Sequence, residues 1–310
     1  MAKQTQDHSK AIIEAALQIA KKVKASALLV YAEAVEDSTV LNPIGKTKTR
    51  LILIARENTD QVLAKELSPK YLSVPNFDLT RMGQIKMATL LAFSQRMIKP
   101  GETFVFLTGL AGKPLDTIMT MSVGEEYEIF QSVDQPELTE HIRRVVFERV
   151  LSLAMALANE GREGKPVGTI FVLGDTREVQ KYSQQAIMNP FKGYTEKERN
   201  ILDDNLRETV KEFSTIDGAF LIKGNGVIVS CGTLLRPTLP GKELPQGLGA
   251  RHAAAAAITA TTKSIAISLS ESTGDVRVWR RGQLITEIEK APRAPKSVHD
   301  MLSDTNGQDP

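Results

Sequence analysis

Through the first half of this chain, short apolar runs alternate with longer stretches of helical period. Ile12, Ala16, Ile19 and Val23 recur at helical spacing, predicting an amphipathic helix from about His8 to Lys24. Ala27 to Tyr31 reads ALLVY and Arg50 to Ala55 reads RLILIA; Tyr71 to Val74 and Thr103 to Leu107 continue the series. Runs without polar alternation suit strands covered on both faces, as in a parallel sheet. Between them, Thr59 to Leu67 and Asp78 to Ile98 predict helices, the second stopped by Pro100-Gly101. Strand alternating with helix predicts a layered α/β domain with a mainly parallel sheet, over residues 1–132.

Gln135-Pro136-Glu137 breaks the pattern, and a second domain is expected over 133–290. A long helix should begin near Leu138, with Ile142, Val145, Val146, Val150, Leu153 and Leu157 as its apolar stripe, and end at Gly161. Val167 to Leu173 predicts a strand. Thr195 and Glu198 form a capping box that should open a helix bearing Leu202, Leu206, Val210 and Phe213. Ala219 to Ile222 and Val227 to Ser230 flank Lys223-Gly224-Asn225-Gly226, a hairpin by its turn chemistry. The Ala-rich stretch Arg251 to Thr262 is helical; Ser264 to Leu269 and Val276 to Trp279 are strands, with Arg281-Gly282 turning a further hairpin. Ala291 to Pro310 has little to bury and is expected to be disordered. No internal repeat is visible.

Composition narrows the function classes. The 310 residues carry 39 Lys and Arg against 37 Asp and Glu, a net charge of +2. That balance argues against a nucleic-acid coat, and no basic tract or helix-hairpin-helix pattern suggests a nucleic-acid partner. A single cysteine, Cys231, excludes an internal disulfide framework and a multi-cysteine zinc site. No apolar run approaches the roughly 20 residues that a bilayer requires, so no membrane partner is expected. The polar start from Met1 to Lys10 is unlike a signal sequence. A cytoplasmic protein is the expectation.

The candidate chemistry clusters late in the chain. Asp217-Gly218-Ala219 sets a carboxylate just before a strand, where small neighbours admit a ligand to the backbone; read alone, such a pair is more often a turn aspartate holding its own loop. Gly249-Ala250-Arg251-His252 opens an alanine helix whose free N–H groups and adjacent guanidinium suit phosphate, or simply a helix start with solvated charges. Glu271, in Ser270-Glu271-Ser272-Thr273-Gly274, projects from a sheet end or is merely solvated. Gly224-Asn225-Gly226 lies between strands and reads as a turn, not a phosphate loop. Cys231 reads as a packing residue, and His8, His141 and His299 have no ligand spacing. No Walker A sequence or dinucleotide fingerprint is present.

In order, DGAFLI, GTLL, GLGARHAAAAAIT and ISLSESTG, between Asp217 and Gly274, resemble the diadenylate cyclase domain. The likeness extends over about Leu138 to Glu289 and includes Asn189-Pro190-Phe191-Lys192-Gly193. Many relatives read Thr-Arg-His-Arg where this chain has Ala250-Arg251-His252-Ala253, which removes a hydroxyl and a guanidinium from the phosphate contacts. The first half resembles, by its pattern of elements, the C-terminal domain of pyruvate kinase, a pairing similar to archaeal diadenylate cyclases.

The resemblance implies a mixed central sheet flanked by helices and condensation of two ATP into cyclic di-AMP with release of two pyrophosphates. It implies Asp217, Arg251 and His252 as catalytic residues. ATP would be held by Gly218, Ala219, Leu234 (against adenine), Gly249, Ala250, Arg251, His252, Ala253, Ala254 and Ser270. Asp217 and Glu271 would hold Mn²⁺ or Mg²⁺, and two protomers would face each other, a homo-oligomer with a facing dimer as catalytic unit. The competing reading is a weak or inactive nucleotide-binding sensor of the same fold, suggested by Ala250 and Ala253.

Overall fold

The computed structural model describes residues 2–35, 38–45, 47, 49–57, 71–109, 113–122, 141–236 and 249–291. The helix expected over Thr59 to Leu67, the break at 135–137, the boundary near 132 and the tail beyond Ala291 lie outside the described residues.

The first unit is a five-stranded sheet ordered β3-β2-β1-β4-β5. Its strands are β1 (Ala27–Tyr31), β2 (Arg50–Arg56), β3 (Tyr71–Val74), β4 (Thr103–Thr108) and β5 (Thr117–Ser122). All neighbours run parallel except β5, which is antiparallel to β4. Every residue of β1 is buried because its side chains feed two cores. Leu28 and Val30 pack with α1 (Ala2–Lys22) and α2 (Asn42–Gly45) on one face. Ala27, Leu29 and Tyr31 pack on the other with α3 (Arg81–Ser94). That double coverage explains the absence of alternation in ALLVY. In α1 the buried line is Ser9, Ile13, Ala16 and Ala20, one residue off the expected stripe, and Val23 faces solvent.

α3 is apolar around most of its circumference because it is covered twice. One side lies on the first sheet and the other on the second unit, so the core there is continuous. Lys86 Nζ reaches Glu289 Oε1 at 2.6 Å, and Ala291 N–H donates to Asp78 O at 3.2 Å. Thr80 caps α3 by accepting the Gly83 N–H.

The second unit is a mixed seven-stranded sheet ordered β12-β11-β10-β6-β8-β9-β7. In chain order its elements are α4 (Arg144–Glu160), β6 (Thr169–Leu173), α5 (Thr176–Lys181), β7 (Ser183–Gln185), α6 (Leu206–Phe213), β8 (Ala219–Ile222) and β9 (Ile228–Leu235). α7 (Ala250–Thr261), β10 (Ile265–Leu269), β11 (Val276–Arg280) and β12 (Gln283–Ile288) follow. Only β6 and β8 pair parallel. α4 covers one face through Val150, Leu153 and Leu157 against Phe171, Phe220 and Ile267. α7 covers the other, its Ala255, Ala256 and Ile258 against Ile170, Leu221 and Trp279. No helix among the described residues is long and apolar enough to cross a membrane.

Two expectations change. Val145 points outward while Val146 and Phe147 take the buried face of α4. The capping box at Thr195 does form, with Thr195 N–H donating to Glu198 Oε2 at 2.8 Å, yet no helix follows it directly. The backbone of 199–201 instead pairs with the hairpin edge, where Ile201 N–H donates to Gly226 O and Ile228 N–H to Arg199 O, both at 2.8 Å. Helix therefore starts only at Leu206.

Candidate active site

The sheet order builds the site. β6 lies between β8 and β10, parallel to the first and antiparallel to the second. The start of β8, the start of β6 and the end of β10 therefore share one edge. Asp217 precedes β8, Glu271 follows β10, and α7 begins beside them. Arg251, in the first turn of α7, joins the two acids: its Nη2 donates to Asp217 Oδ1 at 3.1 Å and its Nη1 to Glu271 Oε2 at 2.9 Å. The side chains of Asp217 and Glu271 are 90% and 56% exposed, so this is a hydrated charge cluster open to ligands.

An open cleft of about 920 Å³ surrounds this cluster. Asp217, Gly249, Ala250, Arg251, His252, Ser270 and Glu271 all line it, so seven candidates are brought together. Gly218, Ala219, Leu234, Ala253 and Ala254 are not among its lining. Gly218 serves the backbone: at φ +115°, a Cβ there would sit 2.6 Å from Thr233 N. Ala219 is buried in the core on the α7 face, and Leu234 is 36% exposed on β9.

At the tip of α7, the orphan donors are the N–H groups of Ala250 and Arg251. His252 and Ala253 already donate theirs to Gly249 O, at 2.9 and 3.1 Å. Ala254 lies a full turn inside the helix, where its N–H belongs to the intrahelical ladder. The free donors are thus fewer and nearer the tip than the sequence suggested. Ser270 is engaged within its own loop, its hydroxyl 3.2 Å from Ser272 Oγ and accepting the Thr273 N–H.

His252 is 6% exposed, its ring against Trp279 with centroids 6.2 Å apart. Trp279 Nε1–H donates to Ser268 Oγ at 2.8 Å, and Ser268 Oγ lies 2.9 Å from His252 Nδ1. The indole can only donate, so Ser268 Oγ accepts from Trp279, and the direction of its bond with Nδ1 follows the imidazole tautomer. Burial, with the nearby cations of Arg277 and Arg251, pulls the His252 pKa down to about 4. Cys231 is buried and its thiol is pushed up to about 11 by desolvation, in keeping with a packing role.

Sequence reasoning missed Gly168, Arg277, Ser268 and Trp279. Arg277 lines the cleft while paired to Glu287 at 2.6 Å. Trp279 is the chain's single tryptophan, the one signal that could have drawn attention to it.

A guanidinium and two free-ended helix N–H groups facing an open cleft, with two carboxylates beside them, suit an anionic ligand that brings a cation with it. The family model described as "DisA bacterial checkpoint controller nucleotide-binding" matches residues 156–284. One described as "Probable sensor domain DacZ_P" matches residues 8–130. The diadenylate cyclase of Methanocaldococcus jannaschii is 33% identical over 314 residues, spanning 92% of this chain and 97% of that one. That of Haloferax volcanii is 33% identical over 247 residues, spanning 79% and 87%. Among solved structures, DacA from Staphylococcus aureus aligns with 52% of this chain and 94% of its own at 20% identity and a TM-score of 0.32. The chain belongs to the diadenylate cyclase family and is an enzyme of that family.

Proposed function

We propose that this chain condenses two ATP molecules into cyclic di-AMP in the cleft around Arg251. The observation that carries the reading is the convergence of Asp217, Arg251 and Glu271 across sequence separations of 34 and 20 residues. In each half-reaction the 3′-O–H bond of one nucleotide breaks and a bond forms from that oxygen to the α-phosphorus of the other. The bond from that phosphorus to the pyrophosphate oxygen breaks, and the hydroxyl proton passes to solvent. Two such steps give one product and two pyrophosphates.

Arg251 and the N–H groups of Ala250 and Arg251 orient the triphosphate and stabilise charge on its oxygens. Gly218 and Ala219 form the turn into β8 that carries Asp217, and neither they nor Leu234 line the cleft, so the nucleotide contacts fall to the other candidates. His252 and Ser270 border the phosphates from the cleft wall. Asp217 and Glu271 offer only oxygen, and among the described residues no group of three or more His, Cys, Asp or Glu forms a metal centre. Two carboxylates completed by phosphate oxygens suit Mg²⁺ or Mn²⁺ better than zinc. Bound there, the cation supplies charge neutralisation and lowers the pKa of a coordinated hydroxyl. One site orients one nucleotide, so an isologous pair of protomers supplies both halves. Alignment of this kind contributes about 7–11 kcal/mol to such a step.

In the first half, the mainly parallel five-stranded sheet is compatible with the likeness to the pyruvate kinase C-terminal domain, and the match of residues 8–130 to a probable sensor domain supports regulation among the tasks open to that half. The test is incubation of purified protein with ATP and Mn²⁺ or Mg²⁺ and chromatographic identification of the product. Cyclic di-AMP is expected; intact ATP with measurable binding overturns the reading in favour of a sensor.

A further inference from the structure

We propose that Gly168 is a positioning residue for the cyclase reaction, the gap that lets Arg251 reach both acids. This rests on the reading of Arg251 as the triphosphate ligand. Gly168 immediately precedes β6, the strand flanked by β8 and β10, so it lies between Asp217 before β8 and Glu271 after β10. Thr169 pairs with Leu269 across the β6–β10 ladder, which puts Gly168 beside Ser270 and Glu271. A Cβ on Gly168 would lie 2.6 Å from Arg251 Nη1, 2.9 Å from Arg251 Cζ and 2.9 Å from Glu271 Cβ. Real carbon contacts do not come this close, so the guanidinium and the Glu271 loop must both yield.

The requirement is for space, not for backbone freedom. Gly168 does not occupy the left-handed region, unlike Gly161 at φ +64° and Gly218 at φ +115°. Alanine fits its backbone conformation, and the clash falls chiefly on the mobile end of an arginine, whose side chain is 35% exposed and can swing into the cleft. The expected lesion is therefore in the aim of the guanidinium. A fork that must place two parallel donors on phosphate oxygens is sensitive to such a displacement.

The experiment compares wild type, Gly168→Ala, Arg251→Ala and the double variant. It measures affinity for a non-reactive ATP analogue with Mg²⁺, KM and kcat for ATP, and melting temperature. Gly168→Ala should weaken analogue binding about tenfold, as expected when a charged hydrogen bond is misaimed. In the Arg251→Ala background the same change should cost much less, because the guanidinium it displaces is absent and only the contact with Glu271 Cβ remains. Undiminished affinity in Gly168→Ala, or an additive loss in the double variant, overturns the inference. Arg251→Ala with unchanged affinity refutes the triphosphate reading itself, a result distinguishable from failure at Gly168 alone.

Discussion

Arg251 has two competing engagements, and replacing Asp217 by Asn separates them. Asp217 holds Arg251 Nη2 at 3.1 Å while Glu271 holds Nη1 at 2.9 Å. A triphosphate arriving without a cation must take the guanidinium from carboxylates that also repel it. The Asp217 side chain is 90% exposed, so its pair with Arg251 is screened by water and contributes no more than about 1 kcal/mol. Repulsion between that carboxylate and one phosphate charge at about 4 Å adds roughly 1 kcal/mol in water. Asp217→Asn removes both, so ATP binding in EDTA should tighten by about 1–2 kcal/mol, roughly 5- to 30-fold. With Mg²⁺ or Mn²⁺ present the order reverses, since the variant has lost a carboxylate for the cation, and cyclisation should largely cease. Titration calorimetry with ATP in EDTA and in Mg²⁺, on wild type and variant, reads both signs. Weakening by the same factor in both buffers would refute the exchange and leave Asp217 as an ordinary polar contact.

Further outcomes follow from the same geometry. Specific activity should fall on dilution below the dissociation constant of the facing dimer, measured by ultracentrifugation; constant activity there contradicts the shared reaction. With the His252 imidazole held at about 4 against 6.5 in an unfolded chain, the unfolded state binds a proton between those values that the folded state refuses. Stability should thus fall by up to about 3 kcal/mol as pH drops from 6.5 to 4 and level off below, by urea melts. His252→Asn should flatten that slope, and an unchanged slope assigns it to other groups. Cys231 should resist alkylation at pH 7 until the protein unfolds, as its buried thiol titrates near 11; rapid labelling of native protein contradicts its burial.

Much of the strand framework was legible because burial on both faces leaves an unbroken apolar word. ALLVY, YLSV and AFLI coincide with β1, β3 and β8 to the residue. β5 and β7, with the sequences TIMTMS and SQQ, escaped notice because their side chains are largely half-buried or exposed and neither forms an unbroken apolar run. The helix expected after Thr195 failed for a tertiary reason: residues 199–201 found backbone partners in the hairpin edge, which local capping chemistry cannot report. For the site, motif order offered Asp217, Arg251 and Glu271 as candidates. Their meeting depends on β6 standing between β8 and β10, and so does the need for a glycine at 168, which no local pattern discloses.

The pairing of Arg251 with His252 shows how far adjacency in sequence misleads on a helix. Successive residues turn through about 100° around the axis, so two neighbours cannot present the same face. Arg251, 35% exposed, takes the outward position and reaches both acids. His252, 6% exposed, turns its Nδ1 to Ser268 and its ring to Trp279, and only borders the cleft. The same rotation that gives the guanidinium to the cleft gives the imidazole to the core. The histidine of this motif therefore acts first by fixing the start of α7 against β10 and β11, which in turn fixes where the arginine begins its reach. Protonating His252 would place a charge in a buried pocket beside the cations of Arg277 and Arg251, which is why its pKa is pulled down and the ring stays neutral at pH 7.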